Sequence, residues 1–125
     1  MHELAIAETV FERVRQRIRE NGFGRVKAVG MRIGALSDVV PDALTFGFEL
    51  VTKDTELDGV SLEIEQVPVR ARCKSCKHTF PVKGWLFVCP LCSSGEVEML
   101  QGMELEISYL KVEDEPDGEE ETQSV

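Results

Sequence analysis

The chain has 125 residues, of which 42% are hydrophobic and 30% are charged, the composition of an ordinary soluble protein of one domain. The formal net charge is −9, but the last thirteen residues contain seven acids and no base, so the remainder is nearly neutral at −2. No apolar run approaches the roughly 20 residues that span a bilayer, and no secretory signal opens the chain, so we expect a cytoplasmic protein with no membrane partner.

Two amphipathic helices are predicted in the first half of the chain. The first occupies residues 4–20, because its apolar residues recur at spacings of three and four, and Gly22 ends it. Its predicted buried face consists of Leu4, Ala7, Val10, Phe11, Val14 and Ile18. Pro41 suits the first turn of the second helix, whose buried face would comprise Leu44, Phe48 and Val51.

Alternating apolar residues predict three strands, centred on Met31, Leu62 and Ile107. The last two enclose a segment without this pattern, and the simplest arrangement pairs them antiparallel. We therefore expect an α+β fold, a small three-stranded sheet with two helices, formed by residues 1–68 and 99–112. Residues 69–98 would form an inserted zinc-ribbon subdomain, and residues 113–125 a disordered acidic tail.

All four cysteines lie in the insert, as two CxxC pairs separated by twelve residues, Cys73, Cys76, Cys89 and Cys92. Two tight turns of this kind can present four thiolates to one tetrahedral Zn²⁺, which closes the site to substrate and makes the metal structural. Redox-active pairs or an iron cluster are alternatives. Because a module of about 30 residues cannot bury enough apolar surface to fold alone, metal binding would drive its folding. Its small core is predicted to contain Phe80, Trp85 and Phe87.

Basic residues surround these cysteines, and no acid occurs between Glu65 and Glu96. They could form a nucleic-acid interface, or they could offset the net charge of −2 that four thiolates give a bound Zn²⁺. We favour the second interpretation. His78 could donate to a thiolate, pack against the first turn, or assist a second metal, and we expect a structural role.

The chain begins Met1-His2-Glu3, and this end is either an uninformative terminus or a second metal site. The free α-amine, a backbone amide nitrogen that deprotonates on metal binding, and the imidazole of His2 lie on consecutive chelate rings. The amide or carboxylate of Glu3 could complete the set. Square-planar nitrogen and oxygen donors select Ni²⁺ or Cu²⁺.

The initial MHE, the stretch RIGALSDVVPDALTFGFE and the late CxxC-x12-CxxC segment together resemble the HypA/HybF family of hydrogenase maturation factors, from Met1 to about Val112. The resemblance implies a nickel metallochaperone with a zinc-ribbon insert. It implies that Met1, His2 and Glu3 hold Ni(II), and that the four cysteines hold Zn(II). It also implies a HypB-type GTPase and the large subunit of nickel-iron hydrogenase as partners, and in some organisms the urease maturation proteins.

No enzymatic function is expected, because the GxxxxGK[ST], HExxH and GxSxG motifs are absent. One alternative is a nucleic-acid-binding zinc ribbon. Another is a protein adaptor that docks through a basic flank of the first helix, at Arg13, Arg15, Arg17 and Arg19. The metallochaperone interpretation predicts no nucleic-acid partner and a monomer or homodimer.

Overall fold

The computed structural model describes residues 2–22, 24–113 and 119–124, the last range through its backbone only. It contains helices α1, Glu3–Asn21, and α2, Pro41–Thr52. The strands in chain order are β1 Val26–Gly34, β2 Ser61–Val67, β3 Arg70–Cys73, β4 Thr79–Pro81, β5 Val97–Gln101, β6 Leu105–Val112 and β7 Glu119–Ser124.

Both predicted helices are confirmed, although Ile18 and Val51 of the predicted buried faces are only partly buried and Leu4 is exposed. Gly22 ends α1 in the left-handed conformation, at φ 63°, and its N–H donates to the carbonyl of Ile18 at 2.9 Å. The helix buries Ala7, Val10, Phe11 and Val14. Leu4, which was predicted to be buried, is 47% exposed, because the first turn of α1 points Glu3 into the interior instead.

The strands form two sheets, in the orders β2-β1-β6-β7 and β4-β3-β5. The α+β class and the separate cysteine module are therefore confirmed. The predicted antiparallel pair of β2 and β6 is wrong, because β1 lies between them, parallel to β2 and antiparallel to β6. A crossover through α2 returns the chain beside β1 in the same direction, which leaves the other edge of β1 for β6.

Two predicted boundaries also differ from the structure. β5 extends the cysteine module to Gln101, because the chain changes sheet at Gly102, beyond the predicted boundary at residue 98. The predicted disordered tail is wrong for residues 119–124, which pair antiparallel with β6. Composition indicated disorder, but it took no account of the open backbone hydrogen-bonding edge that β6 offers. Residues 114–118 and 125 lie outside the described part of the chain.

The helices pack on one face of the larger sheet, against a core that includes Met31 and Ile33 of β1 and Phe48 of α2. Where β1 pairs with β6, the register shifts so that Gly30 opposes Tyr109 and Met31 opposes Ile107. Ser108 is thus an extra residue on β6, a β-bulge. Within the described ranges, no helix is long and apolar enough to cross a membrane.

A polar network covers the other face of this sheet. The ring of Tyr109 lies over Gly30, where a Cβ would overlap it. The Tyr109 hydroxyl donates to Glu63, and the Nζ atom of Lys111 lies 3.0 Å from the same carboxylate. The Tyr109 hydroxyl and Lys111 together hold the pKa of Glu63 below its ordinary value of 4.5. The bond to Glu63, with partial burial, raises the pKa of Tyr109 to about 12.

Tyr109→Phe removes this donor and should lower the free energy of unfolding in a pH-dependent way. The folded pKa of Glu63 lies below the unfolded value, so its contribution is fully present above pH 4.5 and is lost as the pH falls through the folded value. Because the Glu63 side chain is 39% exposed, we expect a loss of only about 1 kcal/mol near neutral pH and a smaller loss in acid. Urea denaturation across this pH range measures the difference, and a pH-independent loss would contradict this interpretation.

Candidate metal centres

Two similar turns carry the four cysteines. In the first turn, the N–H of Lys77 donates to the carbonyl of Cys73 at 3.0 Å. In the second turn, the N–H of Ser93 makes the equivalent bond to the carbonyl of Cys89 at 2.9 Å. Lys77 and Ser93 both have positive φ, 68° and 62°. The two CxxC segments therefore fold alike, although neither has glycine at the left-handed position.

Each turn is closed by a further backbone bond at its first cysteine. The N–H of Cys73 donates to the carbonyl of His78 at 2.9 Å, and the N–H of Cys89 donates to the carbonyl of Ser94 at 3.0 Å. In each turn the first cysteine is buried and the second is exposed. The two turns thus contribute matched pairs of sulfur atoms to a common centre.

The four sulfur atoms lie within 4.8 Å of one another. Two sulfur pairs join the two turns, at 3.5 Å between Cys73 and Cys92 and 3.6 Å between Cys76 and Cys89. A tetrahedral ion with Zn–S bonds of about 2.3 Å needs S···S separations of about 3.8 Å. The cysteines therefore fit a closed tetrahedral metal site.

The electrostatics of the cluster favour a cation at its centre. The backbone N–H of Cys76 and a side-chain contact with Cys92 together lower the pKa of Cys73 to about 6. The N–H of Ser94 acts in the same direction on Cys92, but the neighbouring sulfur atoms, above all that of Cys73, and burial outweigh it and raise the pKa of Cys92 to about 12. Four thiolates so close together repel one another, and a bound dication removes this conflict.

The remaining residues of the module take supporting or exposed positions. Phe80 is buried as predicted, and His78 stacks against it with ring centroids 6.0 Å apart, so His78 packs the first turn. Within the described residues, the group of potential ligands contains the four cysteines and not His78. Trp85 was predicted to lie in the core but is 77% exposed, because Phe80 and the buried cysteines already fill the small interior.

The second predicted centre lies at the start of α1. Met1 lies outside the described residues. His2 occupies the N-cap position, where its imidazole is exposed and makes no capping hydrogen bond. Glu3 is the first residue of the helix and is buried. The structure therefore places one predicted ligand side chain in solvent and the next one in the interior.

Glu3 joins the beginnings of the two helices. Its Oε2 atom accepts the N–H of Val40, the N-cap residue of α2, at 3.0 Å. The helices are close at Gly47 of α2, where an added Cβ would lie 3.5 Å from Leu4 Cα and Ala7 Cβ, an ordinary van der Waals distance. Sequence reasoning missed Val40, because it acts through its backbone N–H and carries no metal-binding side chain.

This environment keeps Glu3 ionised. The N–H of Val40 lowers the pKa of the carboxyl group below its ordinary value, and the N–H of Glu3 itself and the nearby His2 act in the same direction. A carboxylate between two helix N-termini is also stabilised by both helix dipoles. The charge is thus fixed in place on the residue that follows the exposed His2.

Comparisons with known proteins agree with these features. A family model described as "Hydrogenase/urease nickel incorporation, metallochaperone, hypA" matches residues 1–112. The hydrogenase maturation factors HypA of Geobacter metallireducens and Geotalea uraniireducens are 45% and 44% identical to the chain, over 90% of it and 100% of each relative.

Two solved structures share the fold. The solution structure of the Ni metallochaperone HypA from Helicobacter pylori has a TM-score of 0.62 at 24% identity, covering 90% of this chain and 97% of that one. A second HypA solution structure has a TM-score of 0.69 at 24% identity, covering 92% of this chain and 98% of that one. The family resemblance predicted from the sequence is confirmed, and the chain belongs to the HypA family of hydrogenase maturation factors, which are nickel-incorporation metallochaperones.

Proposed function

We propose that this chain binds Ni(II) at its N-terminus and delivers it to the large subunit of nickel-iron hydrogenase. The observation that carries this proposal is the exposed imidazole of His2 at the N-cap of α1, beside a Glu3 carboxylate anchored to Val40. The chain acts as a carrier and not as an enzyme. In organisms that possess urease, the same nickel could serve its maturation.

The proposed donors are the α-amine of Met1, the backbone nitrogen and imidazole of His2, and the backbone nitrogen of Glu3. The first N–H groups of a helix have no acceptor within the helix, so a metal can replace the proton of an amide here without breaking a helical bond. An exposed imidazole leaves one side of the ion open to a receiving protein. Such a site can release its cargo, unlike the closed cysteine cluster.

The Glu3 carboxylate has a positioning role in this proposal. It is buried and already accepts the N–H of Val40, so it fixes the direction of the backbone at the start of α1. The α-amine and the imidazole must converge on one ion, and this anchor limits the directions that they can take. Outer partners of this kind commonly affect metal affinity strongly.

We further propose that the cysteine cluster holds Zn(II). The S···S distances fit the tetrahedral site described above, and four thiolates are a common ligand set of structural zinc. Bound zinc would neutralise the sulfur atoms and join the two turns. The residues that hold it are Cys73, Cys76, Cys89 and Cys92.

The proposed partners are a HypB-type GTPase and the hydrogenase large subunit, in the cytoplasm. The arginines of α1 are the surface where we expect the GTPase to dock. In this chain Arg15 contacts Glu56 at 2.6 Å and lies 4.9 Å from the centre of the Phe11 ring. Arg13 and Arg17 are four residues apart and so share a face of the helix, where Arg17 also lies 3.6 Å from Glu20. We expect these two arginines to supply contacts to an acidic partner surface.

His2→Ala should abolish tight nickel binding, because it removes the imidazole donor. We expect an untagged wild-type chain to bind about one Ni²⁺ per chain, and the variant to lose at least about tenfold in affinity while its zinc content is unchanged. Isothermal titration calorimetry measures the affinity, and elemental analysis measures the zinc. Unchanged nickel binding would refute the N-terminal site and make the salt dependence of RNA or DNA binding the next measurement.

Glu3→Ala and Glu3→Gln distinguish a positioning carboxylate from a ligand. The glutamine oxygen can still accept the N–H of Val40, so Glu3→Gln should bind nickel nearly as wild type does. Glu3→Ala loses the anchor and should bind about tenfold more weakly. The same calorimetric titration reports both variants. An equal loss in both would show that the carboxylate itself coordinates the ion.

Cys76→Ser should remove the zinc and unfold the module, because three thiolates hold the ion far less well than four. Elemental analysis should show loss of the metal, and amide NMR spectra should lose the dispersed signals of β3, β4 and β5 while those of α1 and α2 persist. Ser75→Ala, one residue earlier in the same turn, is the matched control. Full zinc content in Cys76→Ser would contradict the four-cysteine site.

A further inference from the structure

The outer edge of β6 is covered by a segment that lies beyond the family match. That match ends at residue 112, and β7 is formed by residues 119–124 of the C-terminal extension. β7 pairs antiparallel with β6, from Leu110 opposite Glu119 to Glu106 opposite Ser124. Without β7, β6 would be an edge strand with a row of unpaired backbone groups.

The bulge at Ser108 gives β6 an unusual symmetry. On one side of the bulge Leu105 and Ile107 pack toward the helices, and on the other side Leu110 and Val112 do the same. The opposite face carries Glu106, which contacts Arg32, and Tyr109 and Lys111, which contact Glu63. Read outward from the centre of β6, each half therefore has the same order of apolar and charged positions.

This order makes the strand complementary to itself. When two copies of β6 lie antiparallel about the bond between Ser108 and Tyr109, Ile107 opposes Leu110, Glu106 opposes Lys111, and Leu105 opposes Val112 of the second copy. A two-fold axis makes each pair twice. Directly opposed apolar and opposite-charge pairs stabilise antiparallel strands. The Lys111 side chain is 52% exposed, so its ammonium can reach a second carboxylate besides Glu63.

We propose that the β6 edge is a pairing surface for a second copy of this chain, and that β7 covers it in the single chain. The self-matching order of charges and apolar groups favours an identical strand over an unrelated one. β7 competes because it is tethered a few residues from β6 and so has a high effective concentration at that edge. Displacement of β7 would join two larger sheets into one continuous sheet.

The first test releases β7 without changing the charge of the chain. Alternate residues of an antiparallel strand donate to its neighbour, so adjacent prolines at Thr122 and Gln123 remove a donor in either phase. Thr122→Ala/Gln123→Ala is the matched control, because it keeps both N–H groups. Molar mass is measured by light scattering over about a hundredfold range of concentration, with hydrogen exchange of the β6 amides in the same samples.

We expect wild type and the alanine control to remain monomeric and the proline variant to form dimers as concentration rises. A proline variant that stays monomeric would overturn the proposal. At the lowest concentration, where the proline variant is monomeric, its β6 amides should exchange faster than those of the alanine control; unchanged exchange there would overturn the proposal as well, because β7 would then not be covering that edge. Open-ended aggregation in place of dimers would contradict two-fold pairing.

The second test uses charge exchange in the proline variant. Lys111→Glu alone places acids opposite acids in a homodimer, and Glu106→Lys alone places bases opposite bases. Each should weaken self-association by at least about tenfold. An equimolar mixture restores both opposite-charge pairs, so native mass spectrometry should show mixed dimers. Strong self-association of either variant, or no mixed dimer from folded chains, would place the contact elsewhere.

Discussion

A set of backbone hydrogen bonds after β1 holds the two sheets of this protein together. The N–H of Ala35 donates to Val67, where the chain leaves the larger sheet. The N–H groups of Gly34 and Leu36 donate to Glu104 and Gly102, where the chain returns. A Cβ on Gly34 would overlap the backbone of Gly102, so the close approach requires glycine. The cysteine module can project from the sheet because both of its connections are fixed at this point.

The two proposed metal centres differ in how the backbone presents them. The cysteine centre is formed by two equivalent turns whose N–H groups contact sulfur or close the turn. All four of its ligand positions are occupied by cysteine sulfur atoms. The N-terminal centre is built at a helix start, with His2 exposed and Glu3 held by α2. A site with four protein ligands favours a permanently bound ion, whereas a site with an exposed ligand favours an ion that is released to a partner. One small chain could therefore bind two metals that dissociate at different rates.

The sequence predicted local features well and long-range contacts poorly. CxxC spacing and the helical period of α1 depend on residues within a few positions, so the cysteine cluster and the helices could be read directly. The bond from Glu3 to Val40 joins residues 37 positions apart and involves a backbone donor, so no pattern indicates it. Trp85 was misplaced because aromatic residues usually lie inside, and the strand 119–124 because composition does not register a free sheet edge.

The close approach of Gly34 and Gly102 also affects the order in which the parts of this chain can fold. The whole cysteine module separates β2 from β6 in the sequence, so pairing β6 with β1 closes a long loop. Closing this loop costs conformational entropy before the strand contacts form. An ion that binds four cysteines brings Cys73 and Cys92 together and so shortens the effective loop between β2 and β6. Binding of the proposed ion would therefore assist assembly of the larger sheet, and it would affect the folding rate of the whole chain as well as the stability of the cysteine module.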